Sequence, residues 1–198
     1  KNGASIGCRY CIDFVFHLYA LRFISRVANY RRYLGVYIPV IIWAVDAGLR
    51  GALVVIDNKK VTHVVRMPVI KHTTSKILKN KINSYRLNQL IKPLPTPDKA
   101  VIELPEVINT NARLTLASMF QSVGIIEGII AGYCDDIRFV TPRRWQAKYN
   151  LIKKTKWDSV EVANKLYPEL NIEMVKDADI SEAALIGHWF LKYSGTFL

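Results

Sequence analysis

Four carboxylates stand where a carboxylate is costly. Asp46 closes the apolar run Ile41-Ile42-Trp43-Ala44-Val45, and Glu103 lies inside Val101-Ile102-Glu103-Leu104. Asp179 and Glu182 open the segment Asp179-Ile180-Ser181-Glu182-Ala183-Ala184-Leu185-Ile186. An acid among apolar residues must be paired, hydrogen-bonded or bound to metal. Asp179 and Glu182 are three apart, which on a helix puts both carboxylates on one face; Asp177 is a nearby substitute for Asp179. Carboxylates carried by two strands and one helix can converge on a hard divalent cation, and Mg2+ takes oxygen ligands while keeping several waters. Two such ions about 4 Å apart activate water and stabilise the leaving oxygen in phosphodiester hydrolysis. Plainer readings exist for three of the four acids. Asp46 could start a turn, and Asp179 and Glu182 could serve a helix N-terminus. Glu103 has no comparable local role, so the set as a whole points to metal chemistry.

The elements that must position these acids follow from pattern. Residues 41–46, 52–56 and 61–67 are short β-rich runs separated by Ala47-Gly48-Leu49-Arg50-Gly51 and Asp57-Asn58-Lys59-Lys60, which predicts a β-meander. Residues 71–99 are polar and basic, with a short helix near Tyr85–Ile91, and Pro93, Pro95 and Pro97 make a stiff connector. A buried strand is predicted over 100–104, a long helix over 112–132 and a strand over 137–141. Pro142 suits the first turn of a helix running to about Tyr149. Helices are predicted over 158–166 and 180–191 by their period. The order βββ-α-β-α-β-α-α-α implies an α/β layered domain with helices covering a central sheet. Gly124, Gly128 and Gly132 recur on one face of the long helix at a cost of about 1 kcal/mol each relative to Ala. Such a smooth face admits close approach, either by the chain's own sheet or by another element.

Composition narrows the partners. The chain has 198 residues, 51% hydrophobic and 22% charged, enough for one packed domain and too apolar for disorder. Three Cys cannot build a disulfide framework, and ten Gly with eight Pro exclude a collagen-like chain. Lys and Arg number 28 against 16 acids, a net charge of +12 that calls for an anionic partner. The excess is uneven. Residues 59–99 hold ten basic residues and one acid, residues 138–156 hold seven and none, and residues 100–137 carry five acids and only Arg113. Two basic segments thus bracket an acidic stretch, as holding a phosphate backbone over a metal site would require. Gly48, Arg50, Lys76, Lys79, Arg143, Arg144 and Lys148 are the candidate phosphate contacts, and Trp145 reads as a core anchor.

The ordered motifs resemble one family. Ala44-Val45-Asp46-Ala47-Gly48-Leu49-Arg50-Gly51-Ala52-Leu53 resembles the first-strand motif of RuvC-like Holliday junction resolvases, in the RNase H-like superfamily. Val101-Ile102-Glu103 resembles the family's second acid, and Met119 to Gly128 its following helix. Phe139-Val140-Thr141-Pro142-Arg143-Arg144-Trp145-Gln146 is similar to a phrase of its bacterial and phage members, and Asp179 to Ile186 resembles its closing acidic helix. The resemblance spans roughly Ile41 to Lys192. It implies an RNase H-like α/β fold, with a central five-stranded mixed sheet flanked by helices and its first three strands antiparallel. It implies a homodimer, formed through the long helix, that resolves four-way DNA junctions in recombination and repair. It also implies two Mg2+ ions per site, replaceable by Mn2+, on Asp46, Glu103, Asp179 and Glu182, with Asp46 bridging both. Four positions depart from the family pattern. Ala47 stands where Pro is common, Leu104-Pro105 follows the second acid, Glu182 replaces Asp, and a slightly long connector makes Glu106 a remote rival to Glu103. The competing readings are a non-catalytic nucleic-acid-binding module of a ribonucleoprotein, and a related nuclease acting on hybrid or other branched substrates.

Residues 1–40 form a separate basic extension ahead of the nuclease-like domain at 41–198, with six basic residues and one acid. The apolar run 12–21 is too short and too polar to span a membrane. Arg-rich, acid-poor composition fits a mitochondrial transit segment, an accessory helix or upstream sequence. The expected location is the cytoplasm of a bacterium or a phage host, or the mitochondrion if this stretch is a transit segment. Cys8-Arg9-Tyr10-Cys11 has only His17 nearby, so reduced thiols rather than zinc are expected.

Overall fold

Alternating residues of the strand before Asp46 must face two different cores. In the computed structural model, which describes residues 40–71, 80–107 and 113–194, that strand is β1, Ile42–Val45, buried at every position. Lys76, Lys79, the Cys8–Cys11 pair and all of the basic extension but Val40 lie outside the described residues. β2 (Ala52–Asp57) pairs antiparallel with β1, and β3 (Lys60–Arg66) antiparallel with β2. The β2–β3 turn holds Asn58 and Lys59 at φ of 48° and 64°, the two positive values that a tight hairpin turn of the primed type demands. A bulge between Val55 and Ile56 leaves Thr62 as the extra residue. β6 (Lys99–Glu103) lies parallel to β1, and β7 (Ile137–Val140) parallel to β6. The five-stranded sheet therefore has the order β3-β2-β1-β6-β7.

Both faces of the sheet are covered, which is why β1 and β2 read as continuous apolar runs rather than alternating ones. On one face Trp43, Val45, Leu53, Val55, Ala100 and Ile102 pack with α1 (Ser84–Ile91) and α2 (Arg113–Ile130). On the other, Ile42, Ala44, Val54, Ile56 and Val101 pack with α3 (Pro142–Gln146), α4 (Lys156–Leu166) and α5 (Ala178–Tyr193). The proline connector is tied down where Trp43 Nε1 donates to Pro95 O at 3.0 Å. α2 is 18 residues long with a mean hydropathy of 1.2, long and apolar enough to cross a membrane by length and composition; Val123, Ile126 and Ile130 bind it to the sheet.

Three expectations need correction. Residues 71–99 contain more than a short helix, because β4 (Val69–Lys71) and β5 (Asn80–Ile82) form a separate two-stranded hairpin. Strands of three residues are too short to show a period. α4 begins at Lys156 rather than near 158, because Thr155 and Asp158 form a reciprocal capping box. The helix from Pro142 stops at Gln146, and a 3-10 turn, Ala147–Tyr149, continues it.

Candidate metal centre

Strand parity aims the first two acids. Ile42 and Ala44 face the α5 side of the sheet, so Asp46, two further on, faces it as well. Val101 faces the same side, and so therefore does Glu103. The parallel register matches Val45 with Ile102, which sets Asp46 beside Glu103 at the carboxyl ends of adjacent strands. That end of an open α/β sheet is where ligands ordinarily bind. α5 then supplies Asp179 and Glu182 from its first two turns. It comes this close because Gly187 lies flat on the sheet: a Cβ there would meet Ile56 Cδ1 at 2.4 Å and Ala44 Cβ at 2.8 Å.

The turn after Asp46 is built by a second close approach. Asp46 N–H donates to Ala52 O at 3.0 Å, and Gly51 N–H donates to Gly48 O at 2.9 Å. A Cβ on Gly51 would lie 2.0 Å from Asp46 O, so only glycine closes this turn. Gly48 is under no such constraint, and neither glycine takes a left-handed φ. Instead, Gly48 N–H donates to Asp46 Oδ1 at 3.1 Å and holds that carboxylate in place.

One carboxylate oxygen from each of Asp46, Asp179 and Glu182 lies within 4.8 Å of the others. Glu103 lies outside this group of three. Its Oε1 accepts a 2.7 Å hydrogen bond from Trp145 Nε1, although it stays close enough to interact with Asp46 and Glu182. Asp177 turns away to pair with Arg66, which leaves Asp179 as the acid facing the group. Glu106 adds to the negative field at Glu103 without joining the group. Burial, reinforced by the negative charge of Glu182, pushes Asp46 up to about 7. Glu103 is pushed up to about 8 by burial and then by Asp46. Burial also raises Glu182, although Lys156 opposes it.

Lys156 was not legible as a site residue. Its Nζ pairs with Asp179 and lies 3.7 Å from Glu182 Oε2. The Thr155 capping box sets this lysine in the first turn of α4, facing α5. Burial pulls its pKa down, but the Asp179 hydrogen bond and the Glu182 charge outweigh that and raise it. A single lysine cannot neutralise this many acids, and an all-oxygen donor set of half-neutralised, buried carboxylates fits a hard divalent cation. Lys156→Met is expected to lower the stability of the metal-free protein at pH 8 by about 1–2 kcal/mol, as for a half-exposed ion pair. Mg2+ should recover most of that loss, and thermal melts with and without the ion read both effects.

Asp46, Asp179, Glu182 and Lys156 line a cleft of about 520 Å³, together with Gly48, Arg50 and Asn80 and a facing wall from α2 that includes Thr115, Ser118 and Met119. Of the predicted phosphate contacts, Gly48 and Arg50 therefore lie at the acids. Arg143, Arg144 and Lys148 sit beyond the end of β7, with the Arg144 guanidinium over the Trp189 ring and Lys148 Nζ over Tyr193. His188 points elsewhere and bonds Tyr149 OH through Nδ1 at 2.7 Å.

No protein-family model matches the sequence, and no curated protein matches it. The fold is similar to that of RuvC from Thermus thermophilus in complex with a Holliday junction substrate, at 15% identity and a TM-score of 0.51, over 79% of this chain and 97% of that one. A second Thermus thermophilus RuvC structure is similar at 10% identity and a TM-score of 0.52, over 78% and 96%. The fold is RNase H-like. In this sheet the adjacent strands β1 and β6 carry Asp46 and Glu103, and α5 brings Asp179 and Glu182 to Asp46.

Proposed function

We propose that this chain is a structure-selective endodeoxyribonuclease that cuts four-way DNA junctions with the help of two Mg2+ ions. The observation that carries the reading is the convergence of Asp46, Asp179 and Glu182 beside Glu103 in a cleft of a strongly basic chain. Asp46, Asp179 and Glu182 would hold metal, with Glu103 supplying a further oxygen from β6. Bound Mg2+ would supply an activated water and charge stabilisation at the leaving oxygen. The protein's own groups do the rest. Gly48 N–H fixes one Asp46 oxygen and frees the other. Lys156 offsets part of the acid charge, and Arg50 at the cleft offers a contact to the phosphate backbone. The sheet order supports the same reading, since it places the basic segments containing β3 and β7 on opposite edges of the acid-bearing strands.

Two sites are needed to nick paired strands, and the outer face of α2 offers a way to join two copies. Phe120, Gly124 and Gly128 are exposed there, and a Cβ on either glycine would meet nothing within 4 Å. Among the described residues, the face thus serves neither core. Introducing Gly124→Glu with Gly128→Glu should convert a dimer to a monomer in light scattering without lowering the monomer's melting temperature. A dimer that survives both changes would move the interface elsewhere.

The deciding experiment presents the wild-type chain with Mg2+ and a four-way junction, an RNA–DNA hybrid or a linear duplex. Paired, symmetric nicks on the junction with 5′-phosphate ends are expected. Cleavage of the hybrid alone would make it a related nuclease with another substrate. Salt-sensitive binding without any metal-dependent cleavage would make it a binding module.

A further inference from the structure

Trp145 does two things at once. It is almost wholly buried, at 1% exposure, within the cluster that contains Val140, Leu151 and Trp189. Yet its indole edge reaches out of that cluster to donate to Glu103 Oε1 at 2.7 Å. The local chain makes this reach possible. Glu103 pairs with Val140, the last residue of β7, and Leu104 N–H donates to Val140 O at 2.8 Å. Pro142 then starts α3, which places Trp145 one helical turn past the end of the sheet, over the acid.

An indole N–H is a donor only; it neither ionises nor binds metal. A glutamate has three side-chain torsions and two equivalent oxygens, so an untethered Glu103 could turn away from Asp46 or offer both oxygens at once. With Oε1 held by a rigid donor, Oε2 is the oxygen left to act. We infer that Trp145 is a positioning residue that aims Glu103 as a one-oxygen ligand toward the metal centre, in addition to filling the core. This inference rests on the metal-site reading above. Ligating carboxylates are commonly held by such outer partners, whose loss weakens metal binding about 10- to 100-fold.

Trp145→Phe retains a ring in the core and removes only the donor. It is expected to weaken Mn2+ binding by about tenfold, measured by calorimetry on the intact chain. In a Glu103→Ala background the same change should have no further effect on Mn2+ affinity. A purely structural role predicts a lower melting temperature with Mn2+ affinity unchanged, and that result would overturn the inference while leaving the metal site standing. Absence of Mn2+ binding by the wild-type chain would instead overturn the metal-site reading, and this inference with it. The wild-type protein provides a test that does not depend on the variant folding. Saturating Mg2+ should shift the Trp145 indole 15N–1H resonance, whereas that of Trp43, bonded to Pro95 O, should stay still. A Trp145 resonance indifferent to bound Mg2+ would overturn the inference.

Discussion

Asp46→Asn should abolish metal-dependent cleavage of a four-way junction, leave junction binding largely intact, and make the metal-free protein more stable at pH 8. The three effects have one cause. Asp46 is buried where β1 ends, one of its oxygens is taken by Gly48 N–H, and Asp179 and Glu182 reach within 4.8 Å of it. Its charge is useful only when a cation shares it. Removing that charge removes a central oxygen ligand, and losses of several orders of magnitude in rate are expected when metal-bound water and leaving-group stabilisation both go. Binding is expected to persist because phosphate contacts come from basic groups outside the acid cluster.

The stability gain follows from linkage. Asp46 is raised to about 7 by burial and then by the charge of Glu182, and Glu103 to about 8 by burial and then by the charge of Asp46. Their protonated forms stabilise the metal-free fold at pH below about 4. That contribution is lost as pH rises to about 7 for Asp46 and about 8 for Glu103, because the unfolded chain releases these protons earlier. The metal-free wild type should therefore lose stability between pH 5 and pH 8, by an amount on the order of 3 kcal/mol from Asp46. Asp46→Asn should flatten that slope. Mn2+ binding to the wild type should tighten over the same range with release of protons, which calorimetry in buffers of different ionisation enthalpy would detect. A metal-free stability independent of pH, or a fully active Asp46→Asn protein, would contradict this account of the cleft.

The positions of these acids differ in how far the sequence discloses them. Asp46 and Glu103 are legible because each ends or interrupts an apolar run, and a parallel pairing of two such strands leaves little freedom over where the acids meet. Asp179 over Asp177 is not legible, since both sit at one helix start. The choice is made by Arg66, 111 residues before Asp177, at the far end of a strand pair. Lys156 is hidden for a related reason. The Thr155-Asp158 capping box can be read from the chain, and it fixes where α4 begins. Which partner the first-turn lysine meets depends on how α4 packs on α5.

Trp145 shows a different limit. Its size and apolar neighbours announce a core residue, and it is one. Its second role comes from the position of one nitrogen relative to the last paired residue of β6, which no local pattern encodes. The β4–β5 hairpin escaped for want of length, because Val69–Lys71 and Asn80–Ile82 give three residues each. The glycines divide by what a Cβ would meet. The repeat at Gly124 and Gly128 is visible in sequence and faces open space, whereas the unremarked Gly187 is the one pressed against the sheet.

Gly187→Ala should accordingly cost more than its size suggests. In an exposed helix, replacing glycine by alanine gains about 1 kcal/mol. Here the new methyl would stand 2.8 Å from Ala44 Cβ, which is rooted in a central strand, and 2.4 Å from Ile56 Cδ1. The side chain of Ile56 can rotate, but Ala44 can only be displaced by moving β1 or α5. Overpacking of this kind costs about 1–3 kcal/mol, enough to cancel the helical gain and leave a net loss. If α5 moves, Asp179 and Glu182 move with it, while Asp46 stays with β1. Mn2+ affinity should therefore fall even though no ligand has been altered. Gly124→Ala and Gly128→Ala are the matched comparison, since each adds the same methyl to a helix in open space and should stabilise the chain. Adding Ile56→Val to Gly187→Ala relieves the nearer contact and should restore part of both stability and metal affinity, a coupling expected only of residues in contact. A Gly187→Ala protein that melts with the wild type and binds Mn2+ equally well would show that α5 owes its closeness to the sheet, and the site its geometry, to something other than this glycine.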